Sequence, residues 1–146
     1  VLVHEASRRY PASLTDGLPG GRDHRDGRWA GFEFVDLDAT IDLGAANALN
    51  TLSARFLQDA NAWIFLPRTV TVAWSTDGEE WHDLATQGHD VPDRVQDPVI
   101  RAFEFDLSGI EARYLRLRAT NFGPLPNWHP GRGQKAWIFV DEFVVR

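Results

Sequence analysis

The feature that most constrains the fold is a series of short runs in which apolar and polar residues alternate. In the run 69–74, Val70, Val72 and Trp74 share one face, and in 114–118 Leu115 and Leu117 do so. Alternation with a period of two is typical of half-buried strands, and no window keeps a helical period over three turns. Similar runs lie at 2–4, 29–34, 38–43, 49–57, 81–85, 102–107, 137–140 and 142–145.

The turns between these runs predict how the strands are arranged. Asp77-Gly78 supplies the positive φ that a hairpin between 69–74 and 81–85 needs. About eight short strands joined by irregular loops predict an all-β antiparallel sandwich in a single domain over residues 1–146. Because the chain starts at Val1 and contains no methionine, we expect it to be a piece excised from a longer protein.

Charge and composition exclude several classes of function. The formal net charge is −6 and no basic tract is present, so the electrostatic signature of nucleic-acid binding is missing. No apolar run reaches the roughly 20 residues of a membrane span. The absence of cysteine excludes disulfides, thiolate nucleophiles and cysteine-type zinc sites. No catalytic motif appears and no carboxylate pair stands out, so we expect no enzyme activity in this chain alone.

One loop, residues 121–136, is unusual because it holds three prolines, three glycines and an indole. It is either a binding surface or a lid packed against another part of the protein. Carbohydrate sites stack flat sugar faces on aromatic rings and place polar groups around the hydroxyls. Loops at one end of a sandwich can bring such groups together. The predicted glycan contacts are Trp128, His129, Asn121, Phe122, Trp63, Asn61, His24 and Trp29.

The other aromatic and histidine residues carry less functional signal. Trp74 and Trp81 lie in predicted strands, so we interpret them as core or sheet-surface residues, and Trp137 as core. The ring of Trp128 has an alternative to exposure, because the proline-rich loop can fold back and bury it. The isolated residues His4, His82 and His89 carry no signal beyond surface polarity.

Three parts of the sequence together resemble the discoidin family, also called factor V/VIII type C, in its bacterial carbohydrate-binding branch. They are 14–17 with 29 and 39–44, then 67–81, and finally 112–117 with 141–145. The resemblance implies an eight-stranded jelly-roll sandwich with galactose-binding-like topology. A narrower resemblance, at 31–32, 36–38, 56–58, 63–67 and 128–129, points to accessory domains of secreted or periplasmic glycoside hydrolases, notably family 20 β-hexosaminidases.

A calcium site is also implied by the resemblance. Relatives hold a structural Ca²⁺ at positions that correspond to Asp16 and Glu142, with a carbonyl at Leu14. Gly21 stands where the family often has Thr or Ser, so it offers only backbone, and Asp26 is a substitute. The stretch 17–27 is rich in Gly and Asp, which suits an oxygen-ligated cation. The alternative is a turn-capping Asp and a solvated Glu.

These observations lead to a functional expectation with one main alternative. We expect a non-catalytic, monomeric carbohydrate-binding module, tethered to a secreted, periplasmic or cell-surface glycoside hydrolase in the same polypeptide. It would bind galactose or amino-sugar glycans with a Kd of about 0.1–10 mM. The alternative is a structural domain whose long loop braces a catalytic neighbour. A membrane- or protein-adhesive discoidin domain is less favoured, because the −6 charge opposes binding to anionic lipid.

Overall fold

The structure, a computed structural model, describes the backbone of residues 2–3 and the whole of residues 13–146. Within these residues, nine strands and one 3₁₀ turn, Ala60–Ala62, are formed. The strands are β1 (Leu2–Val3), β2 (Ala30–Glu33), β3 (Leu37–Ala48), β4 (Thr51–Gln58), β5 (Val70–Ser75), β6 (His82–Gln87), β7 (Val99–Asp106), β8 (Glu111–Ala119) and β9 (Trp137–Val145). His4 lies outside the described residues. No helix among them has the length and apolarity needed to cross a membrane.

The strands form two antiparallel sheets, which confirms the predicted sandwich. One sheet has the order β1-β3-β8-β5-β6 and the other the order β2-β9-β4-β7. Eight strands have four or more residues, as predicted, and β1 adds a two-residue edge strand beside β3. The predicted hairpin is β5–β6, in which Trp74 pairs with His82.

The core lies between the sheets and follows from the alternation of apolar residues. Val70 and Val72 of β5 and Leu115 and Leu117 of β8 are fully buried on the inner face of the five-stranded sheet. The four-stranded sheet adds aromatic rings to the same core, among them Phe56. Burial of each such side chain contributes roughly 1.5–3 kcal/mol, so the core holds the sheets together without any disulfide.

The strand register gathers four loops at one end of the sandwich. Leu37 and Val70 both pair with Ala119, and Gln58 pairs with Val99. The starts of β3 and β5 and the end of β8 are therefore at one edge of the five-stranded sheet. The end of β4 and the start of β7 lie on the same side, because the connections 59–69 and 88–98 join them to β5 and β6. We call this side the long-loop end, formed by residues 34–36, 59–69, 88–98 and 120–136.

Candidate functional site

The long loop 120–136 folds onto a small apolar cluster of its own. Ala60, Phe65, Leu125 and Ala136 are buried there, and Phe122 and Trp128 pack against them as half-buried residues. The Leu125 N–H donates to the Gln134 carbonyl at 2.8 Å, so the loop closes on itself. The loop therefore has features of both predicted alternatives. Part of it is packed like a lid, and part, such as Asn127, remains accessible to a ligand.

His129 is buried inside this loop, which corrects its prediction as a glycan contact. Its side chain is 4% exposed. The Gly131 N–H donates to Nδ1 at 2.9 Å, so Nε2 carries the proton and donates to the Ala60 carbonyl at 2.7 Å. Both ring nitrogens are used within the fold, and the residue ties the long loop to the 59–69 loop.

Asn121 is also corrected, because its amide is buried and used within the fold. Its Nδ2 donates to the carbonyls of Val35 and Ala136, both at 3.2 Å. Its Oδ1 accepts from the Gly123 N–H at 2.8 Å. Asn121 therefore fixes the start of the long loop and is not accessible to a sugar.

Trp29 is the third correction, since its ring is only 1% exposed. It packs against Leu57 and Phe139 on the outer face of the four-stranded sheet. Its Nε1 donates to the Gly21 carbonyl at 3.0 Å. The 13–29 segment crosses over the ring so closely that a Cβ at Gly20 would come within 2.4 Å of it. The indole is a structural anchor of this segment.

The other predicted glycan residues keep some exposure and stay predictions. Trp63 is 38% exposed at the long-loop end, with φ +66°, and Asn61 beside it is exposed. His24 is half-buried, with its ring edge-on to Phe139 at 5.7 Å and its Nδ1 3.8 Å from a carboxylate oxygen of Asp59. The half-buried Trp128 contacts Phe65, and the guanidinium carbon of Arg94 lies 5.3 Å from a ring centroid of the Trp128 indole.

A pocket at the long-loop end contains residues that the sequence analysis did not select. It has a volume of about 280 Å³ and is lined by Gln58, Arg68, His89, Val91, Asp93 and Phe122. We call it the loop-end pocket. Of its residues only Phe122 was predicted. The end of β4 and two separate loops, 59–69 and 88–98, supply the others, so no local sequence pattern connects them.

Arg68 is held flat against the aromatic part of the loop-end pocket. Its Nε donates to the Phe122 carbonyl at 2.7 Å, and its guanidinium carbon lies 4.4 Å from the centre of the Phe122 ring. That ring in turn stacks on Phe65 at 4.5 Å. A guanidinium has five N–H donors, so this bond leaves further donors for a ligand.

His89 supplies a neutral donor to the same pocket. The Val91 N–H donates to Nδ1 at 3.1 Å, which places the ring proton on Nε2. Burial, together with the positive charges of Arg101 and Arg68, holds the pKa of His89 below its usual 6.5. The ring is therefore neutral at pH 7. With the carboxylate of Asp93, the pocket combines donors, an acceptor and an apolar surface, which suits a hydroxylated ligand.

The predicted cation ligands Asp16 and Glu142 are brought together. Glu142 is buried, and its Oε1 accepts from the Gly17 N–H at 3.1 Å. Its Oε2 is buried and has no hydrogen-bond partner among the residues that the structure describes. Burial raises the pKa of Glu142, and the nearby carboxyl group of Asp16 raises it further. An orphaned buried carboxylate oxygen beside a second acid fits a bound cation.

The remaining cation candidates differ in what they can offer. The Leu14 carbonyl accepts from the Phe143 N–H at 2.7 Å and keeps a second lone pair. Asp26 accepts from the backbone of Gly21 and Arg28, and the Gly21 carbonyl accepts from Trp29, so this turn is held by its own hydrogen bonds. No group of three acidic, histidine or cysteine side chains forms within residues 13–146, so backbone carbonyls would have to complete the ligand set.

Sequence and structure comparisons give consistent results. The family model described as the F5/8 type C domain matches residues 4–138. A search of curated proteins finds no match.

Several solved structures are similar to this chain. A CBM32 from a family 31 glycoside hydrolase of Clostridium perfringens is 19% identical with a TM-score of 0.62, over 99% of this chain and 87% of the other. The CBM32 of AlyQ, in complex with 4,5-unsaturated mannuronic acid, is 12% identical with a TM-score of 0.61, over 99% and 92%. At identities this low, the structural similarity shows a shared fold alone.

A further similar structure is the C-terminal domain of a chitobiase from Bacteroides fragilis. It is 20% identical with a TM-score of 0.47, over 77% of this chain. This chain spans 63% of the length of that one.

Proposed function

The chain belongs to the F5/8 type C domain family, and on this basis we propose that it is a non-catalytic carbohydrate-binding module whose glycan site is the loop-end pocket. The composition of that pocket carries the proposal. Arg68 and His89 donate, Asp93 accepts, and Phe122 with Val91 offers an apolar surface. Each sugar hydroxyl both donates and accepts a hydrogen bond, so a pyranose matches this mixture better than a purely anionic or apolar ligand does.

The proposed ligand is a galactose-type or amino-sugar glycan, bound weakly. The pocket is open and small, so one terminal sugar would fill it and the Kd would be about 0.1–10 mM. Trp63 and Asn61 lie at the same end and are proposed to contact the next sugar unit of a longer glycan. The partners proposed are this glycan and a catalytic domain in the same polypeptide.

The pocket can be tested by calorimetric titration with galactose, N-acetylgalactosamine and N-acetylglucosamine at millimolar concentrations. We expect saturable binding of at least one sugar. Arg68→Ala should weaken it at least about tenfold, because a loss of 1.4 kcal/mol has that effect and hydrogen bonds to charged groups contribute about 1.5–3 kcal/mol.

Arg113→Ala is the matched control, since Arg113 pairs with Asp42 at the opposite end of the sandwich. This variant should bind as the parent does. Equal binding by Arg68→Ala, or no binding of any of the three sugars to the parent protein, would contradict the assignment of the pocket.

We propose in addition that Asp16 and Glu142, with the Leu14 carbonyl, hold a structural Ca²⁺. When bound, the ion would neutralise the two carboxylates and join the 13–29 segment to β9. At a Ca²⁺ concentration one hundred times its Kd, the stabilisation is about 2.7 kcal/mol. For a domain of this size that corresponds to a rise in Tm of roughly 5–10 °C.

Thermal unfolding with Ca²⁺ and with EDTA checks this prediction. Glu142→Gln should abolish the rise in Tm, and Glu111→Gln, which changes an exposed acid on β8, should leave it intact. A parent protein whose Tm is the same in Ca²⁺ and in EDTA would refute the site.

The setting of the module is part of the same proposal. We propose that it is monomeric and serves as an accessory domain of a secreted, periplasmic or cell-surface glycoside hydrolase, of which a β-hexosaminidase is the favoured type. A second candidate function is a structural domain that packs against a catalytic neighbour, because Phe34 and Trp63 are both exposed at the long-loop end. This structural role would be favoured if calorimetry detects no bound sugar and if changing these two residues in the parent enzyme lowers its activity.

A further inference from the structure

A second polar groove lies on the exposed face of the five-stranded sheet and shares no lining residue with the loop-end pocket. It has a volume of about 250 Å³ and is lined by Thr71, Ala73, Trp81, Asp83, Arg116 and Arg118. We call it the sheet-face groove. From the sequence, Trp81 is interpreted as a core or sheet-surface residue, and the other five residues have no predicted functional role.

The strand register explains why a groove forms here. Ala73 of β5 pairs with Arg116 of β8 on one side and with Asp83 of β6 on the other. The small side chain of Ala73 leaves a low floor between longer side chains on the flanking strands. The two flanking strands are about 9–10 Å apart, twice the spacing between neighbouring strands. A pyranose ring fits a trough of this width.

The arginines on one wall have N–H donors that no group within residues 13–146 accepts. Arg116 forms a bidentate pair with Asp38, with Nε–Oδ1 at 2.9 Å and Nη2–Oδ2 at 2.7 Å. Arg118 is further from the same carboxylate, with its Nε 3.8 Å from Oδ2, and its side chain is 56% exposed. The ion pair orients Arg116, and the Arg118 guanidinium keeps donors available to a ligand.

The opposite wall supplies an acceptor and an aromatic surface. Asp83 is exposed in β6, and the half-buried Trp81 precedes that strand. Two arginines and two aspartates surround the groove, Asp38 being the second, so its formal charge is balanced. A balanced set of donors and acceptors beside an indole favours a neutral, hydroxyl-rich ligand over a polyanion.

We propose that the sheet-face groove is a second glycan site, which binds an internal unit of a neutral oligosaccharide. Trp81 stacks on the sugar ring, Arg118 donates to hydroxyl oxygens and Asp83 accepts from hydroxyl groups. The site lies on an open sheet surface, so a chain can continue beyond it in both directions. The inference rests on the proposed function for the class of ligand, and it adds a separate site that would raise the avidity for long chains.

The experiment uses ¹⁹F NMR of protein labelled with 5-fluorotryptophan, in which the Trp81 resonance is identified from a Trp81→Phe variant. The probes are chitotetraose and β-1,4-galactotetraose, with tetragalacturonate as the acidic counterpart. We expect a saturable shift of the Trp81 resonance with at least one neutral probe, in the parent protein and in Arg68→Ala alike. Asp83→Asn should weaken this binding by about tenfold, and Arg113→Ala should not affect it.

Each other outcome separates this site from the loop-end pocket. No shift of the Trp81 resonance, while calorimetry detects sugar in the loop-end pocket, would overturn the second site alone. A Trp81 shift that disappears in Arg68→Ala would also overturn it, because a single site would then explain both signals. Tighter binding of tetragalacturonate than of either neutral probe would overturn the assigned ligand class.

Discussion

Replacing Trp29 by alanine is expected to lower the free energy of unfolding by about 3–5 kcal/mol, the usual cost of removing a large buried aromatic side chain. The ring fills the space between the Gly20 backbone and Phe139, and its Nε1 donates to the Gly21 carbonyl. Without the indole, the 13–29 segment loses its main apolar contact with the four-stranded sheet. Urea denaturation followed by circular dichroism measures the change.

Trp63→Ala is the control, because the Trp63 ring is 38% exposed and lies outside the buried clusters. Its cost should be clearly smaller than that of Trp29→Ala. A Trp29→Ala variant that is as stable as the parent but binds sugar less tightly would restore the sequence-based assignment of Trp29 to the glycan site. It would also show that the indole is not buried as described.

A second large loss of stability, about 3 kcal/mol, is expected for Asp141→Ala. Asp141 is fully buried, and its Oδ2 accepts from Arg55 Nη1 and from the Gly20 N–H, both at 2.8 Å. Burial raises the pKa of Asp141, and Arg55 and the Gly20 hydrogen bond act in the opposite direction. Removing one partner of a buried ion pair leaves the other uncompensated, which costs about 3–5 kcal/mol. We take the lower value because Arg55 is partly exposed.

The matched control for this prediction is Asp42→Ala. Asp42 also pairs with an arginine, Arg113, but this pair is bidentate and lies on the surface, whereas a single contact joins the buried Asp141 to Arg55. Solvent screens exposed pairs of this kind, so Asp42→Ala should unfold close to the midpoint of the parent protein. If both variants unfold at the same urea concentration as the parent, the Asp141–Arg55 pair does not anchor the 13–29 segment.

The sheets could be predicted from the sequence because their burial pattern is local. In β5 and β8, side chains with a period of two were enough to identify the inner face, and Asp77-Gly78 identified the hairpin. The hairpin turn is stabilised by such local contacts, because the Asp77 carboxylate accepts hydrogen bonds from the backbone N–H groups of Glu79 and Glu80. Interactions over a few residues leave a clear signature in the sequence.

The site was harder to predict because its contacts link residues distant in sequence. Nothing near His129 indicates that Ala60, 69 positions away, would satisfy its Nε2. His89 looked like an isolated surface residue, and it acquires significance only where the strand register brings it beside Arg68 and Phe122. Asp16 and Glu142 were paired through the family resemblance, which carries long-range information that composition and spacing lack.

Sugar binding in the loop-end pocket can be observed residue by residue in a ¹⁵N-resolved NMR titration with galactose, N-acetylgalactosamine and N-acetylglucosamine. We expect saturable shifts, with a Kd of about 0.1–10 mM, at the backbone amides of Arg68, His89, Val91 and Phe122. Amides at the opposite end of the sandwich, such as those of Asp77 and Gly109, should not move. Spectra unchanged by all three sugars, or shifts confined to that opposite end, would contradict sugar binding in the loop-end pocket.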